Sequence, residues 1–302
     1  MKDTKTLIVI VGPTAVGKTA LCVDIAKRLG TQVVSADSRQ FYKEMNIGTA
    51  KPTAKEMDDI PHHLVNNLSI EEPYDVGKYE KDALQIIQRL FKNNDHVILA
   101  GGSGLYVNAI CKGLDEMPAI PNELRNELNN WYAEEGLLPL QTKLKSLDPK
   151  YYELVDLNNP QRIIRALEVC IASGKTYSSF RKSQAINRPF NIIKIGLQRE
   201  REELYSRIDQ RMDEMIADGL FEEVELLLPH QSKNALQTVG YKEIFEFMRG
   251  SYDKPEAVRL LKRNSRRYAK RQFTWFRKDD NITWFHPNEV ENILKYIRQK
   301  TS

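Results

Sequence analysis

The stretch Gly12-Pro13-Thr14-Ala15-Val16-Gly17-Lys18-Thr19 decides the fold of this chain. It follows the apolar run Leu7-Ile8-Val9-Ile10-Val11 and leads into Ala20-Leu21-Cys22-Val23-Asp24-Ile25-Ala26-Lys27-Arg28-Leu29, which reads as a helix. Strand, glycine loop, helix is the context a phosphate-binding loop needs. The glycines let backbone N–H groups point at phosphate oxygens, and the helix start adds free donors and the positive end of its dipole. Lys18 supplies a point charge, and the Thr19 hydroxyl suits a Mg²⁺ ligand. The competing explanation is a chance Gly-rich turn, for which the four fixed positions coincide in about one chain in a hundred of this size. The eight residues therefore predict a bound, Mg²⁺-associated di- or triphosphate, without saying whether it is ATP.

Working outward, Leu7–Val11, Gln32–Ser35 and His96–Ala100 are predicted strands, with helical patterns between them at Ala20–Leu29 and Lys78–Lys92. This alternation predicts an α/β fold, a P-loop-type, mostly parallel sheet flanked by helices on both faces. From Gly113 to Arg188 strand signal almost disappears. Helices are expected at Asn122–Glu135, Leu140–Leu147 and Asn158–Ser173, the last with Ile163, Ile164, Leu167, Cys170 and Ile171 on one face and Gly174 as its stop. Strand pattern returns at Ile192–Gly196 and gives way to helices at Glu203–Asp218, Phe221–Leu228 and Glu256–Phe276. The expected organisation is a catalytic core of residues 1–112 and 190–302, interrupted by an all-helical insertion at 113–189.

Composition is that of a water-soluble chain of 302 residues, 41% apolar and 28% charged, with no run long enough to span a membrane. Met1-Lys2-Asp3-Thr4-Lys5-Thr6 leads straight into a strand and does not read as a signal peptide. Cys22, Cys111 and Cys170 lie far apart in apolar surroundings and predict buried thiols, not a disulfide or zinc site. The pair His62-His63 has no matching cluster and reads as structural. A cytoplasmic location is the expectation.

Net charge is only +4, yet nine Lys/Arg and no acid fall between Arg259 and Lys278. Arg259, Arg263, Arg266 and Lys270 share one helical face, reinforced by Lys262, Arg267 and Arg271, and Tyr268, Phe273, Trp275 and Phe276 interleave with them. A charge run is usually a solvated face, but one-sided basicity with aromatics is the footprint of a nucleic-acid backbone site.

Two more segments carry chemistry. Val33-Val34-Ser35-Ala36-Asp37-Ser38-Arg39-Gln40 puts a carboxylate just past a strand end, where the ligand crevice of a doubly wound sheet lies. Asp37 can accept a proton from a nucleophile or cap a helix, and position alone leaves both open. Arg39 and Gln40 are polar groups at the same mouth. Val97-Ile98-Leu99-Ala100-Gly101-Gly102-Ser103-Gly104 ends in glycine where ATP-hydrolysing motors place a metal-organising Asp. Its Ser103 can orient a substrate, or the glycines can simply make a turn. Arg207 and Arg211, four apart on a helix, could close over a polyphosphate, although spacing alone favours a solvated face with Glu203 and Asp209.

Six segments in this order resemble the bacterial tRNA dimethylallyltransferases, or isopentenyl-tRNA transferases, over nearly the whole chain. They are the Gly12–Thr19 loop, Ser35–Gln40, Gly101–Tyr106, Asn159-Pro160-Gln161-Arg162-Ile163-Ile164-Arg165-Ala166-Leu167-Glu168, Val239-Gly240-Tyr241-Lys242-Glu243, and Tyr268-Ala269-Lys270-Arg271-Gln272-Phe273-Thr274-Trp275-Phe276-Arg277. The resemblance implies transfer of a dimethylallyl group from dimethylallyl diphosphate to N6 of the adenosine beside the anticodon of tRNA. It implies that the loop, with Lys18, Arg207 and Mg²⁺ on Thr19, holds the diphosphate, that Asp37 is the general base, and that Ser103, Thr in many relatives, acts near the transferred group. It implies contacts to the anticodon stem-loop from Asp37, Ser38, Arg39, Gln40, Ser103, Arg125, Gln161, Arg162, Ile163, Ile164, Arg165, Val239, Gly240, Tyr241 and Lys242, the last often Arg in relatives. The basic helix adds Arg266, Lys270 and Arg271. A monomer without an obligate protein partner is expected, and the zinc-finger tail of eukaryotic relatives is not in this sequence. No Asp-Asp-x-x-Asp occurs, which excludes the aspartate-rich prenyl synthases as a template. The alternative is a P-loop nucleoside or small-molecule kinase, which leaves the basic helix unexplained. A non-catalytic RNA-binding protein with a nucleotide switch would leave Asp37 and Ser103 without a role.

Overall fold

The structure is a computed structural model that describes residues 5–181 and 186–301. The reading of Met1–Thr4 as no signal peptide, and residues 182–185 of the expected insertion, lie outside the described residues. Two compact units are present: one made of the described residues up to Cys111 and from Arg188 onward, the other Lys112–Asn187.

In the larger unit six parallel strands form one sheet. They are β1 (Thr6–Val11), β2 (Val33–Ser35), β3 (His62–His63), β4 (His96–Gly101), β5 (Asn191–Leu197) and β6 (Ile282–Phe285), in the order β3-β2-β4-β1-β5-β6. β1 is apolar from Leu7 to Val11 because both its faces are covered. Leu7, Val9 and Val11 pack with Tyr79, Ala83 and Ile87 of helix Val76–Leu90 on one side. Ile8 and Ile10 pack with Leu21, Cys22 and Ile25 of helix Lys18–Leu29 on the other. A third apolar cluster joins Tyr42 and Met45 to Tyr241, Ile244 and Phe245 of helix Tyr241–Met248 and to Ala257 and Leu261 of helix Lys254–Phe276.

Register sets the site. Val11 is level with Gly101 on β4 and Gly196 on β5, and Ser35 is level with Ala100. The carboxyl ends of β1, β2, β4 and β5 therefore open on one edge, where the chain order of the sheet reverses and ligands bind in open α/β sheets.

The smaller unit is helical, with Asn122–Glu135, Leu137–Leu147 and Pro160–Ser173 as its long elements. Leu128, Leu140, Leu144, Ile163, Ile164 and Leu167 form its core. The fully buried Asp148 ties two short helices into it, accepting from the Tyr151 N–H at 3.0 Å and the Ser178 N–H at 2.7 Å.

The sequence reading missed β3 and β6. β3 is only two residues long, and β6 follows a basic helix on the sheet edge, where the four residues Ile282-Thr283-Trp284-Phe285 carry little signal. The three cysteines are buried and form no disulfide. Among the described residues no helix is long and apolar enough to cross a membrane.

Candidate active site

The phosphate loop runs from Gly12 to the first turn of helix Lys18–Leu29, with Ala15 held at φ 61°. A non-glycine residue in that region costs free energy and persists only where surrounding bonds hold it. Here they come from three later elements. The Arg207 Nε donates to the Ala15 carbonyl at 2.9 Å, the Arg199 Nε to the Val16 carbonyl at 2.9 Å, and the Thr14 N–H donates to Gln272 Oε1 at 2.8 Å. Lys18 turns back over the loop and donates to the Gly12 and Pro13 carbonyls at 3.0 and 2.8 Å. Desolvation in the cavity wall lowers its pKa to about 8, against an opposing pull from Asp37.

Asp37 borders the cavity beside the loop, and Ser103 stands on the neighbouring turn. The Asp37 carboxylate accepts the Arg39 N–H at 3.0 Å, an Asx turn that orients it. The Ser103 Oγ accepts the Ser38 N–H at 3.0 Å and lies 3.1 Å from the Ser38 hydroxyl. The two turns can touch because Gly101 has no side chain: a Cβ there would stand 2.2 Å from the Ala36 carbonyl. Tyr268 completes this wall. Burial first, then the charge of Asp37, pushes its phenol up to about 12, so it stays neutral at physiological pH.

Lys18, Asp37 and Tyr268 line one cavity of about 430 Å³, within the range of small-molecule sites. Thr14, Ala15, Gly17, Lys18, Thr19, Asp37, Arg39, Gln40, Arg207, Val239, Gly240 and Gln272 all border it. Ile208, Met212 and Met215 give it an apolar side. Arg207 and Arg211 are not a purely solvated pair: Arg211 donates to the Ala50 carbonyl at 3.1 Å, and desolvation lowers its pKa. Gln40 donates to the Thr49 and Ala50 carbonyls at 3.3 and 3.2 Å, so it braces the loop above the cavity.

Several RNA-contact expectations need correction. Ile163 and Ile164 are buried in the core of the helical unit, so their side chains cannot reach RNA. Tyr241 is fully buried and its hydroxyl donates to Glu223 at 2.7 Å. Glu223 in turn accepts the N–H groups of Asn46, Ile47 and Gly48 at 2.7–3.0 Å. Tyr241 thus holds a cavity wall. Lys242, Gln161 and Arg162 remain exposed. Arg125 and Arg165 both bond the fully buried Glu168, Arg125 through two hydrogen bonds, and keep side-chain exposures of 44% and 38%.

The basic helix also differs from expectation. Its cations looked uncompensated because their acids lie outside the run. Arg266 pairs with Asp209 and Lys262 with Asp213, both on helix Arg201–Ala217, and Arg259 pairs with Glu256 one turn back. Arg266 is therefore a helix-to-helix tie and not a free cation. Arg267, Lys270, Arg271 and Lys278 are exposed and carry no acidic partner among the described residues.

Gln272, Tyr268, Arg199 and Glu223 were missed as site residues. Gln272 had one signal: it stands among basic residues on the buried line Leu261, Ser265, Ala269, Gln272, Phe276, where a polar side chain needs a specific partner.

The comparisons agree with this geometry. The family model described as IPP transferase matches residues 40–279. The tRNA dimethylallyltransferase of Cytophaga hutchinsonii is 51% identical over 98% of this chain and 97% of its own length. The tRNA dimethylallyltransferase 1 of Bacteroides thetaiotaomicron is 49% identical over 97% and 95%. The solved tRNA isopentenylpyrophosphate transferase of Bacillus halodurans superposes with a TM-score of 0.74 at 38% identity, over 98% of this chain and 97% of that one. A eukaryotic dimethylallyltransferase solved acting on tRNA shares the fold, with a TM-score of 0.80 at 24% identity over 95% of this chain and 75% of its own. With a phosphate loop, a facing carboxylate and full-length relatives of this kind, the chain belongs to the IPP transferase family.

Proposed function

We propose that the chain transfers a dimethylallyl group from dimethylallyl diphosphate to N6 of the adenosine on the 3′ side of the anticodon in tRNA, releasing pyrophosphate. The observation that carries this reading is one cavity bordered by Lys18 and the phosphate loop, by Asp37, and by Tyr268 and Gln272 from the basic helix. A leaving diphosphate, a proton acceptor and an RNA surface then meet in one place.

The chemistry follows from the residues. The lone pair of N6 forms a bond to C1 of the dimethylallyl group while the C1–O bond breaks and its electron pair leaves with pyrophosphate. The proton lost from N6 passes to the Asp37 carboxylate, whose Asx turn leaves an oxygen free to accept it. An exocyclic amine is a weak nucleophile, so a fixed acceptor matters. Lys18, Arg207 and the loop N–H groups stabilise the charge that grows on the leaving group. Ser103 and Tyr268 orient the base. Ile208, Met212 and Met215 supply the apolar contact that a five-carbon chain needs.

The donor set fits Mg²⁺. Thr19 borders the cavity beside Lys18, and among the described residues no cluster of three His, Cys, Asp or Glu offers an all-protein cage. This matches an ion held by one hydroxyl, substrate phosphates and water. When bound, Mg²⁺ offsets charge on the departing pyrophosphate. The target base must leave its stack to enter the cavity. Arg125, Arg165, Gln161 and Arg162 of the helical unit, with Lys242, contact the anticodon arm, and the enzyme works as a cytoplasmic monomer.

The test is direct. Protein, Mg²⁺, unmodified tRNA and dimethylallyl diphosphate are incubated, and the digested nucleosides are weighed by mass spectrometry. Prenylated adenosine is expected. Its absence, with ATP-dependent phosphorylation of a nucleoside instead, would overturn the reading in favour of a kinase.

A further inference from the structure

The basic helix Lys254–Phe276 divides into two halves. In the first, Arg259, Lys262 and Arg266 are spent on Glu256, Asp213 and Asp209. Beyond Arg266, Arg267, Lys270, Arg271, Thr274, Trp275 and Lys278 rim a separate shallow cleft of about 450 Å³. Their spacing is that of a single helical face. Trp275 is the one aromatic in this rim and is 41% exposed. Its inner side is fixed. A Cβ on Gly104 would stand 2.1 Å from the indole Nε1, so the ring packs directly on the backbone of Gly104, next to Ser103. One side of the indole is thus clamped to the turn that carries Ser103, and the rest lies open among four cations that have no acidic partner among the described residues.

We propose that Trp275 is a stacking platform for an unpaired nucleobase of the substrate RNA, with the flanking phosphates on Arg267, Lys270 and Lys278. The inference rests on the tRNA reading of the same site and names a residue which that reading does not. Charge complementarity fixes the occupant as polyanionic, and an exposed ring between cations fits splayed bases of a loop better than a paired duplex, whose bases are already stacked. Because the indole sits on the turn that carries Ser103, the platform takes a loop base close to the one drawn into the cavity.

The experiment uses the full chain with Trp131 and Trp284 changed to Phe, leaving Trp275 as its single tryptophan among the three of the sequence. Unmodified anticodon stem-loop RNA should quench its fluorescence. A fully paired duplex of equal length should not, and equal quenching by both would overturn stacking. In the otherwise unaltered enzyme, Trp275→Ala should weaken stem-loop binding by roughly 5- to 150-fold, with the KM for dimethylallyl diphosphate unchanged, and Trp275→Phe should restore most of the loss. Unchanged RNA affinity in Trp275→Ala would overturn the proposal. So would a blue shift on vesicles of phosphatidylserine without any response to RNA. Binding and quenching are read without turnover, so a wild-type enzyme that binds the stem-loop but makes no prenylated adenosine would sink the reaction and leave the platform standing.

Discussion

The backbone N–H of Thr14, in the phosphate loop, donates to the side-chain carbonyl of Gln272 at 2.8 Å, and the Gln272 amide donates onward to the Gly102 carbonyl at 3.0 Å. One buried glutamine on the basic helix therefore fixes the spacing between the loop after β1 and the turn after β4. The helix that presents cations to solvent on one face holds the Gly12–Thr19 loop with the other.

Gln272→Ala should leave both backbone groups without partners in a buried position. The expected loss of stability is about 1–3 kcal/mol, read as a lower midpoint in urea denaturation. The loosened loop should raise the KM for dimethylallyl diphosphate several-fold more than the KM for tRNA. Gln272→Glu keeps an acceptor for Thr14 but loses the donor to Gly102 and sets a negative charge beside the diphosphate, so it should be worse in KM. Equal KM values for the donor in wild type and both variants would reduce Gln272 to a packing residue.

Under the proposed function, Lys18 should make diphosphate binding depend on pH. Desolvation lowers its pKa to about 8. A bound diphosphate favours the charged ammonium and raises that pKa again. Binding should therefore take up a proton above pH 8, and affinity should fall as pH rises through 8 toward the ordinary lysine range. Below pH 7 the lysine is already charged and contributes no pH dependence. Calorimetry of pyrophosphate binding in buffers of different ionisation enthalpy measures the uptake directly. No uptake at pH 8.5–9 would show that Lys18 does not titrate on binding.

Asp37→Asn keeps an acceptor for the Arg39 N–H, so the turn should survive, but it removes the proton acceptor. The expected fall in kcat is about 10²- to 10⁴-fold, with the Kd for tRNA within a few-fold of wild type. A matched fall in tRNA affinity would make Asp37 a binding residue and not the base.

How much of this could be read in the chain depends on how local each signal is. The Gly12–Thr19 loop announces itself because strand, glycines and helix are contiguous in sequence, and the α/β core follows from it. Asp37 and Ser103 were recognisable as strand-end residues, and what joins them, the contact between Gly101 and Ala36, is a tertiary fact. Gln272 acts across 258 residues on Thr14, and nothing near it in sequence records that partner. Tyr241 shows the opposite failure. Its segment stands out, but the pattern does not reveal that the side chain turns inward to Glu223. Arg266 fails for the same reason: its acid lies on another helix, so a charge run counted along the sequence overstates the free charge.

Arg266 and Lys270 lie one helical turn apart, yet they should behave differently toward tRNA. Lys270 is exposed with no acidic partner among the described residues, so Lys270→Ala should weaken tRNA binding and reduce the slope of log K against log salt by about 1, the signature of one lost phosphate contact. Arg266 is held by both oxygens of Asp209, with side-chain exposures of 29% and 35%, and its guanidinium lies over the Tyr205 ring. Arg266→Ala should instead cost stability, by about 1 kcal/mol for a partly exposed pair, and leave the salt slope unchanged. Filter-binding titrations from low to moderate salt, paired with urea denaturation, separate the two effects. A slope reduced equally in both variants would mean that Arg266 leaves Asp209 for a phosphate when RNA binds, and that the paired half of the helix also belongs to the RNA face.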